Sequence, residues 1–518
     1  MGRSILTAAA RPDKVSWRSF LLTTADRAVA ATERPRSRHA AGLVPDDPPP
    51  LDVAASSGDH AGMLSEDALG RMIDTGEIDT VVVAFPDLHG RPVGKRVTAS
   101  HYLDQVADHG IDACDYLLAV DLDMTPLPGY RFAGWDQGYG DLVAIPDAST
   151  LRLLPWVEGT AFVLCDLVDR EGAPIAVSPR QILRDQIARA AEHGLEVRGA
   201  TEVEFFLFNT SPAEAAARGW QALEPASRTI QDYQLLETSD HEDVLRQVRN
   251  DLLQAGVPVE CSKGEAGRGQ VEVNVTYGGA LEAADRHLIL KQAVKEIAAQ
   301  HGRAVTFMAK WSMDEVGSSC HLHTSLWETA SGRPLMAPAA PDEAGAADGL
   351  STLGRRWLAG QLAAARDLAW CFAPTLNSYK RYVPGSWAPT AVVWGEDNRT
   401  CGFRAVGSGP GRRIESRVPG ADVNPYLVLA GAIAGGLWGI DHELDPGPPF
   451  RGNGYEADVL RLPTTLVEAT EAFEASEIAR AAFGEDVHHH LANTARQEWL
   501  AANRAVTDWE LARYFERI

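Results

Sequence analysis

The chain is 518 residues long, 45% hydrophobic and 23% charged, with a formal net charge of −23. That length suits two domains of ordinary globular composition, and the acid excess argues against a nucleic-acid-binding face, which needs concentrated Lys and Arg. No apolar run approaches the roughly 18–20 residues of a membrane helix.

Residues 1–62 differ from the rest. Up to Ala41 they hold eight Lys or Arg against three Asp or Glu, and a Pro-rich run follows at Asp46–Leu51. Without the continuous apolar core of a signal peptide, they are expected to be a disordered extension, with Met63 as an alternative start; a transit-like or regulatory tail is the other reading. From there the punctuation becomes globular. Ser65–Gly76 reads as a short capped helix, Asp79–Phe85 as a strand of β-branched residues, and Pro92–Thr98 as a second strand after the turn Asp87–Gly90. Ser178-Pro179 followed by Gly194 predicts a helix with an N-cap, Pro in its first turn and Gly at its end. Asp285–His301, Thr352–Phe372, a run opened by Asn424-Pro425 and ending near Ile440, and much of 464–515 also read as helices. Six cysteines, Cys114, Cys165, Cys261, Cys320, Cys371 and Cys401, form no CxxC pair, so a reducing, cytoplasmic setting is expected.

Between the helices lie four segments with polar groups at alternate positions, which share a face if the segments are strands. They are Glu202 and Glu204 in Thr201–Phe208; Gln270, Glu272 and Asn274 in Gln270–Val275; His321, His323 and Ser325 in Cys320–Leu326; and Arg413, Glu415 and Arg417 in Arg412–Val418. Any one could be a solvated strand face. Together they concentrate Glu, His and Arg beside Val- and Phe-rich faces, where solvent faces favour Lys, Thr and Ser. Close carboxylates repel unless a cation neutralises them, and oxygen ligands with one imidazole suit Mg²⁺ or Mn²⁺. Arginines beside such ions point to shared phosphate oxygens, a local charge that the acidic total does not forbid.

These segments, with Glu265–Asn274 (EAGRGQVEVN), Gly317–Leu326 (GSSCHLHTSL), Pro374–Gly385 (PTLNSYKRYVPG), Asp397–Arg404 (DNRTCGFR) and Arg412–Arg417 (RRIESR) in that order, give a chain that resembles the glutamine synthetase superfamily of the bacterial type over roughly residues 64–518. The resemblance implies an α+β fold: an N-terminal β-grasp domain over 63–160, then a catalytic domain over 161–518 whose antiparallel strands form a funnel flanked by helices. It implies ATP and two or more Mg²⁺ or Mn²⁺ ions, one held by Glu204, Glu265 and Glu272, the other by Glu202, His321 and Glu415. Glu260, His323, Ser325, Arg399, Arg404 and Arg413 would lie near ATP, with Arg399 and Arg404 also acting in catalysis, and Gly317, Arg381 and Arg417 would bind L-glutamate. Self-association into a ring, typically a dodecamer with active sites between subunits, is implied too, with neither nucleic acid nor membrane as partner.

Departures from that pattern concern the amine. Ammonia-using members carry an Asp-Gly-Ser-Ser sequence that Ile111–Tyr130 lacks, although Asp112, Asp115, Asp121 and Asp123 are nearby, and Asp141 matches a second acidic position of the ammonium site. Two residues after Pro384-Gly385, where those members place a Glu that accepts a proton from ammonium, stands Trp387. Indole cannot take that proton, but it can pack on an alkyl chain or attract a cation. The expectation is therefore a γ-glutamylamide ligase acting on a polyamine, ethanolamine or a similar amine through γ-glutamyl phosphate, with Asp141 and Trp387 serving the acceptor. Authentic glutamine synthetase, a non-catalytic ring scaffold and an unrelated two-metal hydrolase are the alternatives. Pro410 or Gly411 replaces a basic residue near ATP, and Tyr455 lacks the context of the family's adenylylated tyrosine.

Overall fold

The computed structural model describes residues 62–340 and 348–518; the extension expected at 1–62 lies outside them but for Gly62. Ser65 caps the first helix, Glu66–Asp74 (α1), by accepting from the Ala68 amide. Strands Thr80–Pro86 (β1) and Pro92–Thr98 (β2) pair across a tight turn. The Asp87 carboxylate holds that turn by accepting from the amides of His89 and Arg91. Ile111–Cys114 (β3), Asp141–Pro146 (β4), Arg152–Leu153 (β5) and Thr160–Val168 (β6) complete a sheet of order β2-β1-β6-β4-β3, with β5 beside β6. β6 runs parallel to β1 and antiparallel to β4. Since it is the central strand, the first sheet extends to Val168, and a boundary at 160 cuts it at its middle member.

A second sheet of nine strands follows. It comprises Leu195–Phe208 (β7), Val259–Gly264 (β8), Gln270–Val275 (β9), Gly278–Gly279 (β10), Ala304–Thr306 (β11), Cys320–Glu328 (β12), Trp394–Glu396 (β13), Phe403–Val406 (β14) and Arg413–Ser416 (β15). The order is β13-β14-β15-β12-β7-β9-β8, with β10 and β11 on β7; every pairing is antiparallel except β13 with β14. One face is apolar, with Val203, Phe205, Val271, Val273, Leu322 and Ile414 all buried. Helices back it: Pro179–Glu192 (α2), Ala280–Gln300 (α3), Thr352–Ala364 (α4) and Pro425–Asp441 (α5). Ser178, read as the N-cap of α2, makes no side-chain capping bond, whereas Asn424 caps α5 through the amides of Tyr426 and Leu427.

Two features depart from the expected helices. Thr352–Phe372 is not one helix: α4 stops at Ala364 and a separate turn covers Ala369–Phe372. Between them Arg366 reaches the Arg461 carbonyl and Glu468, and Asp367 accepts from Ser476, so tertiary partners override helical continuity. α4 and α5 pack backbone to backbone. A Cβ on Gly360 would stand 2.1 Å from the Gly435 carbonyl oxygen, so side chains there would force the helices apart. Among the described residues no helix is long and apolar enough to cross a membrane, and all six cysteines are free.

Candidate active site

Register decides which polar side chains meet. On the face opposite the apolar one, β12 places His321 against Glu202 and His323 against Ala200 of β7. β9 sets Glu272 against Glu204, and β15 sets Glu415 against His323. Except for Ser325, the alternating polar residues read from sequence thus converge on one cavity of about 740 Å³.

Three groups of possible ligand atoms lie within 4.8 Å of one another: Glu204, Glu265 and Glu272; Glu202, Glu272 and His321; and Glu202, His323 and Glu415. The first set is the one expected. Of the second expected set, His321 stands 3.2 Å from Glu202 and 3.9 Å from Glu415; His323 shares those two carboxylates, and Glu272 groups with Glu202 and His321. Oxygen-rich sets with one imidazole fit Mg²⁺ or Mn²⁺, and the buried His321 Nε2 has no hydrogen-bond partner.

The two sides of the cavity differ in charge. Burial and then Glu204 push the Glu272 carboxyl up to about 9, and burial and then Glu265 push Glu204 up to about 7. Lys263 pairs with Glu265, while Glu204 accepts only neutral bonds, from the Ser319 amide at 2.7 Å and Gln270 at 3.0 Å. Across the cavity, burial opposes ionisation of Glu202, but bonds from His321 and His323 outweigh it and hold its carboxyl far below the usual range. Burial, then Arg417, lowers His321 to about 4, so near neutrality it serves Glu202 as an uncharged imidazole. Burial likewise opposes ionisation of Glu415, yet it is lowered to about 2 by His321, Arg417 and other cations. With His321 neutral, the charges that keep Glu415 ionised are Arg417, 2.7 Å away, and Arg404.

The arginines fall into two kinds. Arg381, buried in the turn Ser378–Arg381, donates to the carbonyls of Val418 and Arg417 and to Ser319. Its turn is fastened by Asp422, which accepts from Thr375 and Ser378, and by Asn377, which brackets the Lys310 backbone. Arg381, Arg404 and Arg417 each keep a buried Nε without a partner, as an anion site needs. Arg399 is exposed at the cavity edge, and Arg413 leans on His323 at 3.1 Å. Gly317 is where the Arg381 stem passes: a Cβ there would lie 2.6 Å from its Cγ.

Trp387 lines the cavity, more than half exposed, with its carbonyl 3.5 Å from Arg417. Its φ is +65°, a left-handed conformation that a bulky residue rarely adopts. Asp141 is not brought to the cavity within one chain. It lies on β4, exposed and paired with Arg170 at 2.9 Å. Asp115 and Asp121 are engaged in accepting from loop amides.

Glu260 and Ser325 line an adjoining cavity of about 270 Å³, which shares Glu202, Asn274, His323 and Arg413 with the first. Several lining residues were not read from the sequence. Lys263, Asp232 and Tyr233 meet at the main cavity, the Lys263 ammonium standing 4.4 Å over the Tyr233 ring. Arg198, Tyr277 and Trp327 meet at the outer one. Arg198 was findable, since it sits at an even spacing from Glu202 on the same strand.

Residues 176–514 match the family described as glutamine synthetase, catalytic domain. Over 460 residues the chain is 48% identical to the γ-glutamylethanolamide synthetase of Streptomyces coelicolor, covering 89% of this chain and 97% of that one. It is 41% identical over 450 residues to the glutamate–isopropylamine ligase of a Pseudomonas species, covering 86% and 97% respectively. Among solved structures, the GmaS/ADP complex matches with a TM-score of 0.74 at 30% identity, over 86% of this chain and 99% of the other.

Proposed function

The chain belongs to the glutamine synthetase family, and on that premise we propose that it is an ATP-dependent ligase joining the γ-carboxylate of L-glutamate to a primary amine larger than ammonia. The observation that carries the acceptor is Trp387, an indole presented at a cavity lined largely by polar and charged side chains. Relatives named for an ethanolamide product and for isopropylamine as substrate support it.

A carboxylate is a poor electrophile and must first be activated. The glutamate γ-carboxylate attacks the γ-phosphorus of ATP, ADP leaves, and γ-glutamyl phosphate forms. The amine then attacks the acyl carbon and phosphate departs. Divalent cations on Glu204, Glu265, Glu272, Glu202, Glu415 and the histidines would neutralise phosphate charge. Arg404, Arg399 and Arg413 supply positive charge toward the transferring phosphoryl group. Arg381 and Arg417 orient glutamate, and Gly317 leaves the Arg381 stem its room. The cavity wall keeps water from the acyl phosphate. Since indole takes no proton, a carboxylate of the same cavity outside the cation ligands, such as Asp232, would take the amine's.

We extend this to architecture. The first sheet is taken as a β-grasp domain and the second as one funnel wall, in a cytoplasmic ring, typically a dodecamer. Asp141, remote from its own chain's cavity, would then serve a neighbour's.

The test is phosphate release with ATP, Mg²⁺ and L-glutamate against ammonia, methylamine, ethanolamine, isopropylamine and a polyamine. Each methylene buried on Trp387 is worth roughly 0.8 kcal/mol that ammonia cannot gain. An alkylamine should therefore show the higher kcat/KM, and Trp387→Glu should narrow or reverse the gap. Ammonia outperforming every alkylamine in the wild type would restore plain glutamine synthetase.

A further inference from the structure

The outer cavity has a construction of its own. Arg198, Ala200, Glu202 and Glu204 alternate on β7, and the register places Ser325 of β12 against Arg198 and Trp327 against Glu196. The face that holds the carboxylates therefore continues outward into a stack. The Arg198 guanidinium lies 4.1 Å over the Trp327 ring, and Tyr277 stacks beside that ring, 6.2 Å between centroids and 18° from parallel. Both planes are held. Trp327 donates to Ser325 Oγ at 2.9 Å, and Arg198 is fixed edge-on by Glu196 at 2.7 and 3.1 Å. The turn Gly409–Gly411 forms another part of the wall, and Arg412 and Arg413 follow it there.

Four residues of extended strand separate Arg198 from Glu202, about 13 Å, comparable with an extended nucleoside triphosphate from its last phosphate to its base. The inner end carries metal-ligand chemistry and Arg413. The outer end presents a flat cation–aromatic stack and no metal-ligand cluster. A ligand anionic at one end and flat and uncharged at the other fits both.

We propose that Arg198, stacked on Trp327, holds the base–ribose end of ATP. This rests on the ATP-dependent function above. A guanidinium fixed in plane can donate to ribose or base acceptors while its face remains stacked.

Calorimetry on the metal-loaded protein with ATP, ADP and adenosine tests it. Arg198→Ala, and Arg198→Gln as a planar neutral variant, should each weaken ADP binding about ten-fold, the scale of one charge-assisted hydrogen bond. The loss should persist with adenosine. Arg413→Ala should weaken ADP but spare adenosine, and KM for glutamate should stay near wild type in both Arg198 variants. If Arg198→Gln binds ADP within two-fold of wild type while Arg413→Ala does not, Arg198 only braces Trp327 and the proposal falls. If neither site affects nucleotide affinity, the cavity is not the nucleotide site, and its assignment above fails as well.

Discussion

Glu204, Glu265 and Glu272 stand a few ångström from Glu202 and Glu415 on one sheet face, yet the two groups handle charge in opposite ways. In the first, burial and mutual repulsion drive carboxyls toward the neutral acid, and Lys263 is bonded to one of them. In the second, Arg404 and Arg417 hold Glu415 ionised, while bonds from His321 and His323 hold Glu202. One side waits for cations to arrive. The other carries its counter-charges in the sequence, so it keeps its shape without metal.

The largest effect should come from breaking the first group. Glu272→Ala removes a carboxylate placed near both candidate centres, and phosphate release should fall by roughly three orders of magnitude. Glu265→Ala, in the same group, should act similarly, with the fold intact in both. Near-normal turnover at saturating Mg²⁺ in either would sink the ligand assignment. Breaking the second group should instead cost stability. Glu415→Gln leaves Arg417 buried without its anion and Arg404 with Asp397 alone, a loss of about 3 kcal/mol, seen as a lower denaturation midpoint with or without Mg²⁺. Because the Glu415 carboxyl sits below its unfolded value of about 4.5, its stabilisation is present above that pH and disappears as pH falls toward 2. Wild type and mutant should converge in acid.

Arg381 bonds to neither group, so Arg381→Lys should weaken glutamate use ten- to about a hundred-fold and leave Mg²⁺ affinity unchanged. Loss of metal affinity instead would place Arg381 among the cation-organising residues. The smallest effect has the opposite sign of pH dependence. Glu204 and Glu272 have folded values of about 7 and about 9, above the unfolded range, so stability is fullest below about pH 4.5. It is lost as pH rises through those values, because the unfolded chain ionises first. In chelator, the thermal midpoint of the wild type should fall by a few degrees between pH 5 and 9, and less in Glu272→Gln. A flat wild-type profile would mean the cluster is not strained by charge.

Strand alternation made the Glu202–Glu204, Glu272 and His321–His323 faces readable, because a period of two is local. What pairs with what was not local. That Glu272 lies near both candidate centres, or that His323 reaches Glu415, follows from registers between strands tens of residues apart. β6 reads in isolation like any buried strand, and only its pairing with β1 and β4 assigns it to the first sheet. The break after Ala364 depends on partners about a hundred residues downstream. Arg198 went unread because its single charge beside Glu196 looks like a surface ion pair until Trp327 and Tyr277 close over it.

The backbone at 387 has a consequence for evolvability. With φ at +65°, every residue except glycine, and to a lesser degree asparagine or aspartate, bears about the same penalty of 1–2 kcal/mol. The turn has accepted one of the least accommodating occupants, so exchanging Trp387 for another unbranched side chain changes the acceptor wall while leaving the loop's conformational cost almost level. On the proposed role of Trp387, acceptor range can therefore drift by single substitutions at this position.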